Sequence, residues 1–147
     1  MPVYLLVTGS REFRSYSLIR SGIVRAVAEF RLDRTEVTVL QGEAPGADAL
    51  AAEAADELGL ETLGIPADWE APCRPTCRPG HRKKRRNGLE FCPAAGNYRN
   101  QVLVDMKPVV VLACIVPELK CLGTRDCAAR AEAARIPVRW ITQEAAR

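Results

Sequence analysis

The sequence predicts an α/β fold with three layers, in which helices cover both faces of a mostly parallel five-stranded sheet. Three observations support this fold class: short β-branched apolar runs alternate with helical patterns, each connection is long enough for a crossover, and polar or glycine-containing turns follow the strands. The chain has 147 residues, of which 48% are hydrophobic and 27% are charged, as in an ordinary globular protein. We therefore expect one domain over residues 1–147, with an insertion at 71–93.

The first predicted strand covers residues 3–7, and a polar turn with Gly9, Ser10 and Arg11 follows it. Gly9 would let a ligand approach the backbone closely, and the planar guanidinium of Arg11 matches phosphate. This turn is therefore predicted to face an anion. A surface salt bridge of Arg11 is the alternative.

The second strand and its turn give the strongest local pattern. The β-branched run 37–40 predicts a buried strand, and a turn with Gly42 and Gly46 leads directly into an alanine-rich helix. The two glycines would let successive N–H groups point into one concavity, and the helix adds its unpaired first-turn N–H groups. The pattern predicts an anion pocket, with a ligand-free turn as the alternative.

The remaining elements follow from periodicity and from capping residues. They are a helix over 17–30 with Ser15 or Ser17 as its cap, a helix over 47–58 that ends before Gly59, a strand over 61–66, a helix from 95 through 106, a strand over 108–113, a helix from 123 through 134 and a strand over 136–141.

Polar or glycine residues follow each of the first four predicted strands. The carboxyl ends of parallel strands meet at one edge of a sheet, which is where such folds bind ligands. We therefore expect the ligand at this edge. Trp69, at the end of the third strand, would either stack on a base or sugar or cover the edge of the core.

The insertion contains a Cys/His set with the spacing Cys73-x3-Cys77-x3-His81-x10-Cys92. Three thiolates and one imidazole satisfy tetrahedral zinc and leave no open position, so a structural rather than a catalytic zinc is predicted. The segment has almost no apolar side chains and cannot build a core, so metal is expected to order it. A loop without metal is the alternative. The other three cysteines are expected to be small buried hydrophobes.

The same insertion is strongly basic. Seven basic residues and one acid lie between residues 71 and 92, which gives the segment a formal charge of +6 in a chain of +3. This run is either a solvated surface, a phosphate-recognising flank of the ligand edge or a contact with nucleic acid. Few aromatic residues are interleaved with the basic run, which does not favour base stacking.

Five motifs, in order along the chain, resemble the YspA and YpsA-related branch of the SLOG superfamily, whose relatives include the Lonely Guy phosphoribohydrolases and the DNA-processing protein A family. The motifs are Thr-Gly-Ser-Arg at 8–11, Gly-Glu-Ala-Pro-Gly-Ala-Asp at 42–48, Pro-Ala-Asp-Trp at 66–69, Ala-Ala-Gly-Asn-Tyr-Arg-Asn at 94–100 and Gly-Thr-Arg-Asp at 123–126.

The resemblance implies a Rossmann-like domain that binds a nucleotide or nucleotide-derived ligand, and it implies a homodimer. Together with the turn chemistry, it gives the predicted ligand-binding set: Gly9, Ser10, Arg11, Gly42, Gly46, Ala47, Asp48, Trp69, Asn97, Arg99, Asn100, Gly123 and Thr124.

The resemblance also makes Arg99 and Asp126 the candidate catalytic pair of a phosphoribohydrolase. However, Cys127 stands where the hydrolases carry a glutamate, and Asp126 lies one residue earlier, a rotation of ~100° on a helix. Leu122 also replaces the first glycine of their phosphate loop. We therefore expect ligand binding more than hydrolysis of a nucleoside 5′-monophosphate.

Three functions remain open, in this order: a sensor or sequestering module for a nucleotide-like ligand, a phosphoribohydrolase, and a nucleic-acid-binding protein. The apolar run at 1–7 is too short for a signal peptide or a membrane span, so we expect a cytoplasmic protein without membrane contact.

Overall fold

A five-stranded parallel sheet lies between two layers of helices in the computed structural model, which describes residues 1–144. The strand order is β3-β2-β1-β6-β7, and a separate two-stranded hairpin pairs β4 with β5. The elements are β1 (Val3–Gly9), α1 (Tyr16–Glu29), β2 (Val37–Gln41), α2 (Ala47–Glu57), β3 (Glu61–Gly64), β4 (Lys83–Lys84), β5 (Glu90–Phe91), α3 (Ala95–Asp105), β6 (Val110–Ile115), α4 (Leu122–Ala133) and β7 (Val138–Thr142). The predicted fold class is confirmed.

The central strands are apolar throughout because both faces of the sheet are covered. Side chains of successive strand residues point to opposite faces, so neighbouring residues enter different cores. Leu5 and Val7 pack with α1 and α2, whereas Leu6 packs with α3 and α4. Each face of the sheet therefore packs on its own pair of helices. Because both faces are covered, apolar and polar residues need not alternate along the central strands.

The strand order reverses between β1 and β6, which are parallel neighbours in the middle of the sheet. After β1 the chain crosses to β2 on one side, and after β6 it crosses to β7 on the other. At such a reversal the two loops leave in opposite directions, and a crevice opens outside the carboxyl ends of the strands. The fold therefore places the loops after Gly9 and Ile115 on the two sides of one crevice.

Several boundaries differ from the sequence expectations by one or two residues, as is usual at element ends. The third strand ends at Gly64, because Pro66 has no N–H to continue the ladder after Ile65 donates to the Gln41 carbonyl. Ser15, not Ser17, caps α1: its hydroxyl accepts from the N–H of Leu18 at 3.3 Å.

The β4–β5 hairpin was not expected from the sequence. Its strands have two residues each and carry no apolar alternation, so no periodic pattern marks them. Within residues 1–144, no helix has the length and apolar character needed to cross a membrane.

Candidate functional site

An open cleft of about 910 Å³ lies at the carboxyl edge of the sheet, over the crevice between β1 and β6. Its size falls in the range of small-molecule sites. The lining comes from the loop after β1, the start of α2, Trp69, the start of α3 and the loop that leads into α4. The lining residues are Thr8, Gly9, Ser10, Arg11, Glu12, Ala44, Asp48, Trp69, Pro93, Gly96, Asn97, Arg99, Asn100, Leu119, Cys121, Leu122, Gly123, Thr124 and Asp126.

The Asp48 carboxylate is hydrogen-bonded to backbone N–H groups of the glycine turn after β2. Its Oδ2 accepts from the N–H of Gly42 at 3.0 Å and from that of Ala44 at 3.3 Å. The side chain is 5% exposed, and this burial raises its pKa to about 6, even though the two backbone donors and nearby Arg99 favour the charged form. An anion at this turn would have to displace a carboxylate, so the turn itself is already filled.

Gly46 and Ala47 pack against the loop after β1. Gly46 has a φ of 80°, and a Cβ there would lie 2.5 Å from the carbonyl oxygens of Ser10 and Arg11. The N–H of Ala47 donates to the Ser10 carbonyl at 3.2 Å. The observed role of this turn is to bring two loops together, and any contact of Gly42, Gly46 or Ala47 with a ligand stays a prediction.

Arg99 joins the loops that follow β2 and β3. Its Nη1 donates to the Gly42 carbonyl at 2.5 Å and to the Ile65 carbonyl at 3.3 Å, and its Nε donates to Oδ1 of Asn100 at 3.1 Å. The guanidinium still lines the cleft. Arg99 therefore positions the cleft wall, and substituting it would disturb two loops as well as any ligand contact.

Asn100 and Asp126 form a polar link between α3 and the start of α4. The Asn100 amide, which is 4% exposed, donates to the Gly123 carbonyl and to Asp126 Oδ2, each at 3.1 Å. The same carboxylate forms a 2.9 Å ion pair with Arg130. This link fixes the start of α4 relative to α3, and the charge of Asp126 is paired within the protein.

The start of α4 presents open hydrogen-bonding groups to the cleft. Its N-cap, Cys121, lies in the left-handed region with φ 49°, and it makes no side-chain capping bond. Thr124, in the first turn, is only 4% exposed and lines the cleft. Its hydroxyl makes no hydrogen bond within residues 1–144, and no buried side-chain polar atom there lacks a partner, so this hydroxyl is accessible from the cleft. Helix N-terminal N–H groups and a hydroxyl donor suit an anion.

Arg11 and Trp69 flank this region. Arg11 is exposed, and within the described residues its side chain forms no ion pair or hydrogen bond. The Trp69 ring packs on Gly96, where a Cβ would lie 3.1 Å from the indole, and it meets the Phe91 ring edge to face at 6.2 Å. Trp69 thus lines the cleft with an aromatic surface that is only half-buried.

The predicted metal ligands come together in the insertion. The donor atoms of Cys73, Cys77, His81 and Cys92 lie within 4.8 Å of one another. The Cys77 and Cys92 sulfur atoms are 3.8 Å apart, and Nε2 of His81 is 3.4 Å from that of Cys92. Four soft or borderline donors at this spacing could hold a metal ion.

Two successive turns build this cluster. The N–H of Cys77 donates to the Arg74 carbonyl at 2.9 Å, and the N–H of His81 donates to the Arg78 carbonyl at 3.2 Å. A proline follows each arginine, at the turn position where its fixed φ fits. Gly80, at the next position of the second turn, has a φ of 76°. The repeated Cys-Arg-Pro unit therefore forms two turns, and each turn ends at a residue of the Cys/His cluster.

The cluster is tied to α3 and to the cleft. The Tyr98 hydroxyl lies 2.8 Å from Cys77 Sγ, and the N–H of Cys92 donates to the Trp69 carbonyl at 2.8 Å. Cys92 also starts the turn into α3, because its carbonyl accepts from the N–H of Ala95. One residue of the Cys/His cluster thus lies between two walls of the cleft.

The three cysteines outside the cluster differ in burial. Cys114 and Cys127 are fully buried, and burial raises their pKa values to about 12 and about 11, so both are neutral thiols near pH 7. Cys121 is instead half-buried and lines the cleft. The expectation of small buried residues is correct for the first two and wrong for Cys121.

The first half of the chain matches a known family. Residues 3–71 match the model described as "YspA, cpYpsA-related SLOG family". The resemblance of the chain to SLOG proteins of this branch is thereby confirmed. The match ends where the basic insertion begins, so the Cys/His cluster lies outside the SLOG match. The comparison with curated protein sequences found no match.

Solved structures share the fold of this chain at low sequence identity. DNA processing protein A (DprA) from Streptococcus pneumoniae is similar at 15% identity with a TM-score of 0.61, over 95% of this chain and 50% of that chain. The Moco carrier protein from Chlamydomonas reinhardtii gives 18% and 0.56, over 97% and 78%. The structural-genomics target TM1055 gives 21% and 0.54, over 92% and 72%. This chain thus spans half the length of the DprA chain, and these likenesses show the fold.

The structure brings together most of the residues that the SLOG motifs suggested. Ten of the thirteen predicted ligand-binding residues line the cleft, and Gly42, Gly46 and Ala47 lie behind it. Thr8, Ala44 and Gly96 belong to the same motifs but were not singled out. Five other lining residues lie outside the five motifs and were missed: Glu12, Pro93, Leu119, Cys121 and Leu122.

Proposed function

We propose that this domain binds a phosphate-bearing, nucleotide-like small molecule in the cleft and acts as a sensor or sequestering module. The observation that carries the proposal is the unpartnered Thr124 hydroxyl, which lies in an otherwise buried residue at the uncapped start of α4. A phosphate there would accept hydrogen bonds from this hydroxyl and from first-turn N–H groups. The name of the Moco carrier protein, a structural neighbour, is consistent with ligand binding on this fold.

The charges of the cleft favour this position over the turn after β2. The Asp48 carboxylate fills that turn, and the Asp126 carboxylate in α4 is also bonded to protein donors. Arg11, in the loop after β1, is unpaired among the described residues and can close over an anion. We therefore propose that the phosphate binds between Arg11 and Thr124, with the base or sugar extending toward Trp69.

Hydrolysis by Arg99 and Asp126 has less support. Both side chains line the cleft, but each is bonded to other protein groups: Arg99 to two carbonyl oxygens, and Asp126 to Asn100 and Arg130. A catalytic role for this pair stays a prediction. The homodimer implied by the family resemblance also stays a prediction, and light scattering of the purified chain would test it.

Mass spectrometry of the purified protein after denaturation would identify what the cleft retains. We expect a phosphate-bearing compound, or binding of at least one member of a nucleoside mono-, di- and triphosphate panel. Chromatography of the same mixtures separates the two functions: intact nucleotide after long incubation supports binding alone, whereas release of free base supports hydrolysis. No binding across the panel would contradict the proposal.

We further propose that the Cys/His cluster holds one structural Zn²⁺. A tetrahedral ion with Zn–S bonds of about 2.3 Å sets its sulfur ligands about 3.8 Å apart, and the Cys77–Cys92 separation is 3.8 Å. Three thiolates and one imidazole leave no open position for a reacting water. When bound, the metal would neutralise the thiolates and hold the two turns together.

Elemental analysis of the purified protein should give about one zinc per chain. Cys77→Ser should remove most of it, because a hydroxyl is a poor zinc ligand. Cys121→Ser is the matched control, since Cys121 is also half-buried but lies outside the cluster, and its zinc content should stay at the wild-type value. Zinc absent from the wild type, or unaffected by Cys77→Ser, would refute the assignment.

A further inference from the structure

The insertion carries positive charge that neither the cleft nor the metal cluster uses. Arg82 is engaged, since it pairs with Glu90 at 3.4 Å and donates to the Ala71 carbonyl at 2.8 Å. Other basic side chains of the insertion are exposed and, within residues 1–144, form no ion pair or hydrogen bond: Arg78, Lys83, Lys84 and Arg86. Unpaired charges at this density favour an anionic partner.

The β4–β5 hairpin sets part of this charge beside aromatic rings. Lys83 lies directly opposite Phe91, so the two side chains leave the same face of the hairpin. The Arg85 guanidinium lies over the Phe91 ring, 5.2 Å from its centroid. Phe91 meets Trp69, which lines the cleft. We call Lys83, Arg85, Phe91 and Arg86, which lies in the adjoining turn, the hairpin face.

The hairpin face matches the two chemical parts of an unpaired polynucleotide. Lysine and arginine side chains bind phosphates without regard to sequence, and aromatic or guanidinium planes stack on bases that are not paired. A duplex offers its phosphates but keeps its bases stacked. A lipid surface or an acidic protein would use the charge but would not need the ring. These features are far apart in the sequence, because Trp69 precedes the insertion and Phe91 lies near its end.

We propose that the hairpin face binds single-stranded nucleic acid, with phosphates on Lys83 and Arg86 and a base stacked on the Arg85–Phe91 pair. The chemistry is shared by DNA and RNA. The surface lies outside the segment that matches the SLOG family and does not depend on what the cleft binds.

The salt dependence of binding tests the charge contacts. Anisotropy titrations would use a short labelled oligodeoxynucleotide, the oligoribonucleotide of the same sequence and the matching duplex. Lys83→Ser with Arg86→Ser should lower the slope of log Kobs against log salt by about 1.4 for the single strands, at ~0.7 per phosphate contact. Arg20→Ser with Arg25→Ser removes the same charge from exposed positions of α1, in the opposite helix layer, and should leave the slope unchanged.

Substitution of Phe91 tests the stacking. Phe91→Leu should weaken oligonucleotide binding by about five-fold or more, whereas Phe91→Tyr should retain it. Inorganic polyphosphate carries charge without bases, so its affinity should not change in either variant. Zinc content and thermal unfolding of each variant show whether the hairpin remains folded.

Four results would overturn the proposal: no single-strand binding at low salt, equal slopes in the two double variants, a duplex or an anionic vesicle that binds as tightly as the single strand, or an equal loss of polyphosphate binding in Phe91→Leu. Comparison of the DNA and RNA oligonucleotides then identifies which polymer binds more tightly. Because none of these variants alters Thr124 or Arg11, failure here would leave the cleft proposal standing.

Discussion

Asp48 determines which backbone N–H groups of the cleft are free to bind an anion. The sequence analysis placed Asp48 in the predicted ligand-binding set. Its carboxylate lines the cleft but is bonded to the N–H groups of Gly42 and Ala44. This contact could not be predicted from the sequence, because it depends on how tightly the turn packs against Ser10 and Arg11.

The buried Asp48 carboxyl makes stability depend on pH. Its pKa is about 6 in the folded chain against an ordinary value of 3.8. Between these values the native state keeps the proton that the unfolded state has lost, so stability falls as pH rises. Relative to Asp48→Asn, which keeps an acceptor oxygen, the wild type should lose up to ~3 kcal/mol of unfolding free energy from about pH 4 to pH 7.

Urea unfolding of both proteins at several pH values in this window would measure that difference. Proton competition for the cysteine ligands affects both proteins equally and cancels in the comparison. A constant difference between the two proteins across the window would show that Asp48 titrates normally.

At the level of secondary structure, the insertion and α3 act as one unit. Cys92 is a cluster residue, its N–H bonds to the Trp69 carbonyl, and Tyr98 on α3 contacts Cys77. The four ligands could be predicted because their types and spacing point to tetrahedral zinc. The hairpin could not, since two-residue strands gain their pairing from the fold around them rather than from a local pattern.

Removal of the metal should therefore change the environment of Trp69 in the cleft wall. In a Trp140→Phe background Trp69 is the only tryptophan, and its emission reports one cleft wall. A strong chelator should shift this emission, and Cys77→Ser should reproduce the shifted spectrum without chelator. Emission that stays constant while zinc analysis shows complete removal would mean that the cluster and the cleft are independent.

At the level of the whole molecule, the position of the cleft follows from chain topology. The apolar runs, the crossovers and the glycine turns were enough to predict a parallel sheet with its ligand edge at the carboxyl ends. The internal bonds of that edge were not predictable, because they join distant positions. Arg99 bonds to a carbonyl 57 residues away, and Asn100 bonds across to α4. Sequence motifs therefore identified the participants but not their partners.

The central claim is that a ligand phosphate sits at the start of α4 against the Thr124 hydroxyl. Calorimetry with the tightest nucleotide of the panel tests it most directly, using wild type, Thr124→Val and Thr124→Ser. Valine keeps the shape of this buried residue and removes the hydroxyl, whereas serine keeps the hydroxyl. We predict that Thr124→Val binds at least about ten-fold more weakly than the wild type and that Thr124→Ser binds nearly as tightly as the wild type. Equal affinity of Thr124→Val and wild type, with unchanged thermal stability, would contradict the account.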